Sequence, residues 1–215
     1  MSDPGELVRR LSLIVITDPA ATGGALGSAT AAIDAGAPAI QIRWKDGDAK
    51  DLVDLAKILR VRTRKAGALL FINDRVDVAL AVEADGVHLG DDDLPVEVVR
   101  PIVPDGFIIG KSVDTPEEGR TAAGTGADYV GAGPVFATAS KGDTGPVLGL
   151  EALEGFRACG LPVVAIGGIT AATARSVIRA GASGLAVIGD VMFSHDPGKA
   201  TRRLLEEVAA GRTDA

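Results

Sequence analysis

Two short apolar runs in the first half of the chain each end in acidic or amide side chains. The run 69–72 is followed by Asn73 and Asp74, and the run 86–89 is followed by three aspartates, Asp91–Asp93. Mg²⁺ in proteins usually takes one or two carboxylates together with waters and phosphate oxygens. If the two runs are adjacent strands, their ends predict a magnesium site. Taken singly, Asp74 or Asp91 could equally cap the helix that follows, where a carboxylate offsets the helix dipole.

A third apolar run ends in an amide and two cations. In the stretch QIRWK, Gln41, Arg43 and Lys45 alternate, and alternate residues of a strand point to the same side. This spacing predicts that the three polar groups lie together, whereas Trp44 points away from them and packs. The alternative is an ordinary strand end with solvated basic residues.

Glycine-rich segments follow three later runs. The stretch 131–147, GAGPVFATASKGDTGPV, is a long loop of the kind that wraps a phosphate, and Gly167, Gly168 and Gly189 follow the last two runs. Bare backbone N–H groups beside glycine bind phosphate well. A flexible surface loop and ordinary strand-end glycines are the alternatives.

The elements that must position these residues are eight short, continuously apolar runs separated by helical patterns. Such runs are typical of strands buried on both faces. They occupy residues 11–18, 38–44, 68–74, 85–91, 106–112, 127–133, 161–168 and 183–189. Their alternation with helices predicts an α/β fold, a (β/α)₈ TIM barrel with one domain over residues 1–215 and a barrel core at about 11–210. A doubly wound open sheet is the alternative.

Local signals predict where several helices begin and end. Asp48 is a candidate N-cap for a helix whose apolar face includes Leu52, Leu55, Ala56 and Leu59. The stretch TPEE at 115–118 is a capping box. The glycines expected to close helices in the left-handed conformation are Gly36, Gly126 and Gly181.

Composition and charge exclude several classes of function. The net charge of -7 and pI of about 4.9 argue against a nucleic-acid partner, although a small anionic substrate needs only a few cations in one pocket. We expect no signal peptide, no membrane segment and a cytoplasmic protein.

Cys159 is expected to pack in the core, and His88 is expected to be a core residue or to support a site residue. No zinc cluster or hydrolase triad is recognisable.

The run ends taken together resemble the thiamine phosphate synthase family, also called thiamine-phosphate pyrophosphorylase. The resemblance extends from residue 13 to residue 192. It is carried by QIRWK, INDRVDVAL, ADGVHLGDDD, GADYVGAGPVFATASK and PVVAIGGIT, in this order and at these spacings. The family joins hydroxymethylpyrimidine diphosphate to thiazole phosphate, giving thiamine phosphate and pyrophosphate.

The resemblance implies a role for individual residues. The diphosphate would be bound by Gln41, Arg43, Lys45 and Asn73. Asp74 and Asp93 would ligate Mg²⁺, the implied cofactor. Ser112 would lie beside the pyrimidine and Lys141 would reach the pyrophosphate, so that these two act in catalysis with Arg43 and Lys45. The thiazole phosphate would be contacted by Thr138, Ser140, Gly168, Ile188 and Gly189. The expected partners are these two small molecules, and the oligomeric state, including a homodimer, stays open.

Four positions differ from the family's usual pattern. The family often has Gln at the position of Asp91, Val at that of Lys111, His at that of Asp114 and Ser at that of Gly189. Two other functions also stay open: a thiazole tautomerase-like isomerase, and a non-catalytic sensor of thiamine phosphates. A further phosphate-binding barrel isomerase is suggested by fold analogy alone.

Overall fold

Eight short parallel strands form a closed barrel and pair in the order in which they occur along the chain. The structure is a computed structural model that describes residues 4–138 and 146–213. The strands are β1 Leu13–Ile16, β2 Ala39–Ile42, β3 Leu69–Asn73, β4 Gly86–Leu89, β5 Ile108–Val113, β6 Tyr129–Ala132, β7 Val163–Ile166 and β8 Gly184–Val187. Because β1 also pairs with β8, the sheet has no open edge. The predicted barrel is confirmed, and the open sheet is wrong.

Helices surround the barrel and bury their apolar faces against it. They are α1 Pro4–Arg10, α2 Gly24–Asp34, α3 Ala49–Ala66, α4 Val76–Ala81, α5 Val96–Val99, α6 Pro116–Thr125, α7 Gly149–Phe156, α8 Ala171–Arg179, α9 Gly189–Met192 and α10 Pro197–Thr213. Single 3₁₀ turns lie at Arg100–Ile102 and Arg157–Cys159. In the described part of the chain, no helix is long and apolar enough to cross a membrane.

The local helix signals are mostly confirmed. Thr115 and Glu118 form both hydrogen bonds of a capping box at the start of α6. Gly36, Gly126 and Gly181 have φ values of 95°, 100° and 114°, the left-handed region that glycine adopts at no steric cost. Asp48 occupies the N-cap position of α3 but forms no side-chain cap hydrogen bond.

The packing predictions for single residues also agree with the structure. Leu52, Ala56 and Leu59 of α3 are buried. Cys159 is buried at the end of its 3₁₀ turn. Trp44 is partly buried against the core, and a Cβ atom at Gly47 would lie 2.6 Å from its ring.

Large side chains inside the barrel face glycines on neighbouring strands. Phe71 and Tyr129 are buried and meet edge to face, with ring centroids 5.7 Å apart. A Cβ atom on Gly110 would overlap the Tyr129 ring, and one on Gly86 would lie 2.8 Å from Phe71. The glycines therefore provide the volume that the two rings fill, as close packing of an interior requires.

This packing predicts a large cost for adding one methyl group at Gly110. Gly110→Ala should lower the free energy of unfolding by about 2–3 kcal/mol, because the Tyr129 ring has no space into which to move. Urea denaturation would measure the change. The matched control is Gly124→Ala on the exposed side of α6, where a Cβ atom meets nothing within 4 Å. The control should be neutral or stabilising by up to about 1 kcal/mol. Equal stabilities for the two variants would contradict this account.

Candidate active site

The carboxyl ends of the strands surround a cavity of about 810 Å³. This is the end of the barrel where enzymes of this architecture hold their catalytic residues. Among the residues that the resemblance implies, those lining the cavity are Arg43, Lys45, Asn73, Asp74, Asp93, Ser112, Thr138, Gly168, Ile188 and Gly189. Ser140 and Lys141 lie outside the described residues. Strand ends far apart in sequence are therefore brought to one site.

Asp74 and Asp93 are held in hydrogen-bond contact with each other. Asp74 follows β3 with a left-handed backbone, φ 64°, and its N–H donates to the His88 carbonyl at 2.9 Å. Asp93 closes the turn after β4, where its carboxylate accepts from the Gly90 N–H at 2.6 Å. Burial and then the Asp93 carboxyl raise the pKa of Asp74 to about 6. Two acids in contact favour one proton between them, or a cation.

Neither Asp74 nor Asp91 caps a helix. The N-cap residue of α4 is Arg75, and that of α5 is Pro95. The capping interpretation of the acids is therefore wrong. Asp91 instead forms an ion pair with Lys111 on β5. Lys111 and Asp91 are two of the four positions that differ from the family's usual pattern, and the structure pairs them.

Arg43 and Lys45 place positive charge on the β2 side of the cavity. Strand β2 ends at Ile42, so both cations lie in the loop after it and not on the strand as predicted. The Arg43 backbone is fixed by its N–H, which donates to Thr17 Oγ1 at 3.0 Å. Within the described residues, neither cation forms an ion pair. Both lower the pKa of Asp74, but their effect is smaller than the increase caused by burial and Asp93. They are available to an anion.

Gln41 lies deeper than Arg43 and Lys45. Its exposure is 3%, and it lines a small cavity of about 10 Å³ beneath the main one, together with Tyr129. Gln41 is on β2 and points into the barrel, whereas the chain turns after Ile42 and carries the two cations to the rim. Gln41 is therefore set below the two cations, and its grouping with them at the diphosphate stays a prediction.

Ser112 and His88 occupy the floor of the cavity. The Ser112 Oγ and His88 Nε2 atoms are 3.0 Å apart, and His88 Nδ1 lies 3.0 Å from the Tyr129 hydroxyl. His88 thus supports a site residue, as expected. The role of Tyr129 was not predicted from the sequence, because an apolar strand pattern does not distinguish an aromatic side chain that fills the core from one that also forms a hydrogen bond.

Two glycines after β7 allow two loops to pass closely over each other. Gly167 and Gly168 have φ values of 98° and 64°. A Cβ atom on Gly167 would lie 2.6 Å from Pro134, and one on Gly168 would lie 2.6 Å from the Ala137 carbonyl. The Phe136 N–H donates to the Gly167 carbonyl at 3.0 Å. Larger residues would separate the loops that enclose this side of the cavity.

The sequence matches the model of one protein family, described as thiamine monophosphate synthase, over residues 13–191. The chain belongs to the thiamine monophosphate synthase family. Thiamine-phosphate synthase of Roseiflexus castenholzii is 51% identical over 201 residues, which cover 92% of this chain and 88% of that one. The enzyme of the same name from Pyrococcus furiosus is 47% identical over 206 residues, covering 94% and 98%.

A solved structure of a family member has the same fold. Thiamine phosphate pyrophosphorylase from Pyrococcus furiosus superimposes with a TM-score of 0.88 at 45% identity, covering 95% of this chain and 98% of that one. The family resemblance inferred from the run ends is confirmed, and the chain is an enzyme of the transferase class.

The contact between Asp74 and Asp93 predicts a pH-dependent gain in stability for Asp74→Asn. An aspartate has an ordinary pKa of about 3.9 in an unfolded chain, so a folded pKa of about 6 means that the metal-free wild type loses stability as the pH rises from about 4 to about 6. Asp74→Asn should therefore melt at a higher temperature than the wild type in EDTA at pH 7.5, and the difference should vanish near pH 4.

Calorimetry with a control variant would check this prediction. Asparagine also tolerates the left-handed backbone found at residue 74, so the substitution removes charge without adding strain. Asp105→Asn, an exposed change before β5 at the opposite end of the barrel, should shift the melting temperature equally at both pH values. A lower melting temperature for Asp74→Asn at pH 7.5 would contradict the destabilising effect of a charge at residue 74, which is buried beside Asp93.

Proposed function

We propose that the chain joins hydroxymethylpyrimidine diphosphate to thiazole phosphate and releases pyrophosphate, giving thiamine phosphate. The observation that carries the proposal is one cavity with cations that form no ion pair within the described residues, Arg43 and Lys45, beside two carboxylates in contact. Such a site suits a diphosphate that arrives with a divalent cation. The cavity volume of about 810 Å³ also lies within the range of small-molecule sites.

Asp74 and Asp93 would hold Mg²⁺. Their side chains fit this ion because Mg²⁺ prefers hard oxygen ligands. Burial and then the neighbouring Asp93 raise the pKa of Asp74, and a bound cation would offset both effects by stabilising the ionised carboxylates. Asn73 lies beside Asp74 at the same strand end and would bind the diphosphate. When bound, the ion would neutralise charge on the diphosphate oxygens.

The cationic side chains would assist departure of pyrophosphate. Arg43 and Lys45 would bind the diphosphate, and Lys141 of the glycine-rich stretch 131–147 would join them. The bond between the pyrimidine methylene carbon and the diphosphate oxygen breaks, and its electron pair leaves with pyrophosphate. The electron-rich aminopyrimidine ring stabilises the resulting cation. The fixed positive groups stabilise the negative charge that develops on the leaving pyrophosphate, which is an effective form of catalysis.

The second substrate would be positioned by its phosphate. Gly168, Ile188 and Gly189 line one wall of the cavity and would bind the thiazole phosphate through backbone groups, with Thr138 and Ser140 near the ring. The thiazole nitrogen then donates its lone pair to the pyrimidine methylene cation and forms the new C–N bond. No covalent enzyme nucleophile is needed, so the rate depends on positioning and electrostatics.

Pyrophosphate release by the purified protein tests the function directly. With both substrates and Mg²⁺, the wild type should form thiamine phosphate and pyrophosphate in equal amounts, and omission of either substrate or addition of EDTA should stop the reaction. Asp93→Asn should lower turnover about 100-fold or more, whereas Asp105→Asn at the opposite end of the barrel should not.

Three other outcomes would each decide against part of the proposal. Substrate binding without product formation would indicate a sensor. Isomerisation of a thiazole phosphate alone would indicate a tautomerase-like enzyme. Wild-type turnover by Asp93→Asn would remove Asp93 from the metal site.

The ion pair between Lys111 and Asp91 predicts a compensating pair of substitutions. Lys111→Met leaves Asp91 unpaired at the cavity wall, where its charge opposes a diphosphate. The KM for the pyrimidine diphosphate should rise by up to about 5-fold, since exposed ion pairs contribute about 0.2–1 kcal/mol. Adding Asp91→Asn should restore the wild-type KM. Steady-state kinetics on the two single variants and the double variant would check this, and additive increases would contradict it.

A further inference from the structure

Three side chains from adjacent strands form one hydrogen-bonded chain that reaches the cavity floor from below. The Tyr129 hydroxyl on β6 lies 3.0 Å from His88 Nδ1 on β4, and His88 Nε2 lies 3.0 Å from Ser112 Oγ on β5. Ser112 and His88 line the main cavity. Tyr129 is 1% exposed and lines the small cavity beneath it.

The barrel interior is shaped around these side chains. A Cβ atom on Gly110 would overlap the Tyr129 ring, and one on Gly131 would lie 2.9 Å from His88 Cε1. Phe71 packs edge to face on Tyr129. The aromatic rings of Tyr129 and His88 therefore have little freedom to rotate away from each other. The fold thus determines that His88 lies between Tyr129 and Ser112 and contacts both.

The direction of the hydrogen bonds follows from the buried phenol. Burial raises the pKa of Tyr129 well above its ordinary value, so the hydroxyl keeps its proton and needs an acceptor, because a buried donor without one is strongly unfavourable. The adjacent cavity of about 10 Å³ is at the lower limit for one water molecule. Among the described residues, His88 Nδ1 is the polar atom within hydrogen-bond distance of this hydroxyl, at 3.0 Å, and it is therefore the expected acceptor.

The imidazole can accept at Nδ1 only if that nitrogen carries no proton. A doubly protonated ring, or one protonated at Nδ1, would leave the Tyr129 hydrogen without its acceptor. The single N–H of neutral His88 is then at Nε2, and it donates to Ser112 Oγ. The hydroxyl hydrogen of Ser112 is thereby turned away from His88.

We propose that Tyr129 is a positioning residue that, through His88, makes Ser112 a hydrogen-bond donor to the cavity. A ligand beside Ser112 is then favoured when it offers a lone pair, as a pyrimidine ring nitrogen does, and disfavoured when it offers an N–H. The identity of that ligand rests on the proposed function. The direction of the hydrogen bonds does not, since it follows from protein groups alone.

Nitrogen NMR of the histidine rings tests the direction without any substrate. The chain has two histidines, His88 and His195, so protein labelled with ¹⁵N-histidine gives two ring systems, which a His195→Gln variant assigns. At pH 8 the wild-type His88 ring should carry its proton on Nε2, and Tyr129→Phe should populate the other tautomer. A proton on Nδ1 in the wild type would overturn the proposal, as would an unchanged tautomer in Tyr129→Phe.

Kinetics test whether Tyr129 acts through Ser112. Tyr129→Phe should raise the KM for the pyrimidine diphosphate about 10-fold, with no change in the KM for thiazole phosphate. In a Ser112→Ala background, Tyr129→Phe should have no further effect on either constant. An equal loss in both backgrounds, or a parallel rise in both KM values, would show a merely structural role.

The two experiments separate the failure of each claim. A wild type that forms no thiamine phosphate would refute the proposed function, while the NMR measurement would still decide the hydrogen-bond direction. If Tyr129→Phe does not fold, the tautomer of the wild type alone decides, since protonation at Nδ1 contradicts the proposal and protonation at Nε2 supports it.

Discussion

The narrow interior of the barrel is the constraint on which the rest of this structure depends. Eight short strands leave space for only a few large side chains, and Phe71 and Tyr129 occupy it opposite glycines. These rings form a solid support beneath His88 and Ser112. The cavity above can then keep polar groups at fixed positions, because the layer that carries them cannot collapse. Packing below the site therefore determines how precisely the polar side chains of the site are positioned.

Above this rigid layer, the rim of the barrel places like charges close together. Asp74 and Asp93 touch although both are acids, and Arg43 and Lys45 lie nearby without forming an ion pair in the described residues. Such an arrangement is unfavourable in the free protein, and a divalent cation with a diphosphate would satisfy both signs of charge at once. The chain as a whole carries a net charge of -7, so attraction of an anion depends on the local position of these two cations and not on the overall charge.

Local sequence patterns were sufficient for the elements of the fold. Continuous apolar runs predicted the strands, and the TPEE stretch predicted the start of α6, because each depends on neighbours within a few residues. The predicted runs were longer than the strands, since apolar character continues into the turns. This difference matters at β2, which ends at Ile42, so that Arg43 and Lys45 belong to a loop.

What the sequence by itself determined is therefore the order of the elements, the barrel and the residue types at its rim. The tertiary structure decided which of these residues meet: the contact of Asp74 with Asp93, the pairing of Lys111 with Asp91, the depth of Gln41 and the link from Tyr129 to Ser112. The physical reason is register. Sliding one strand by two residues preserves its inward and outward faces, so the alternation of side chains is the same while every partner across the barrel changes.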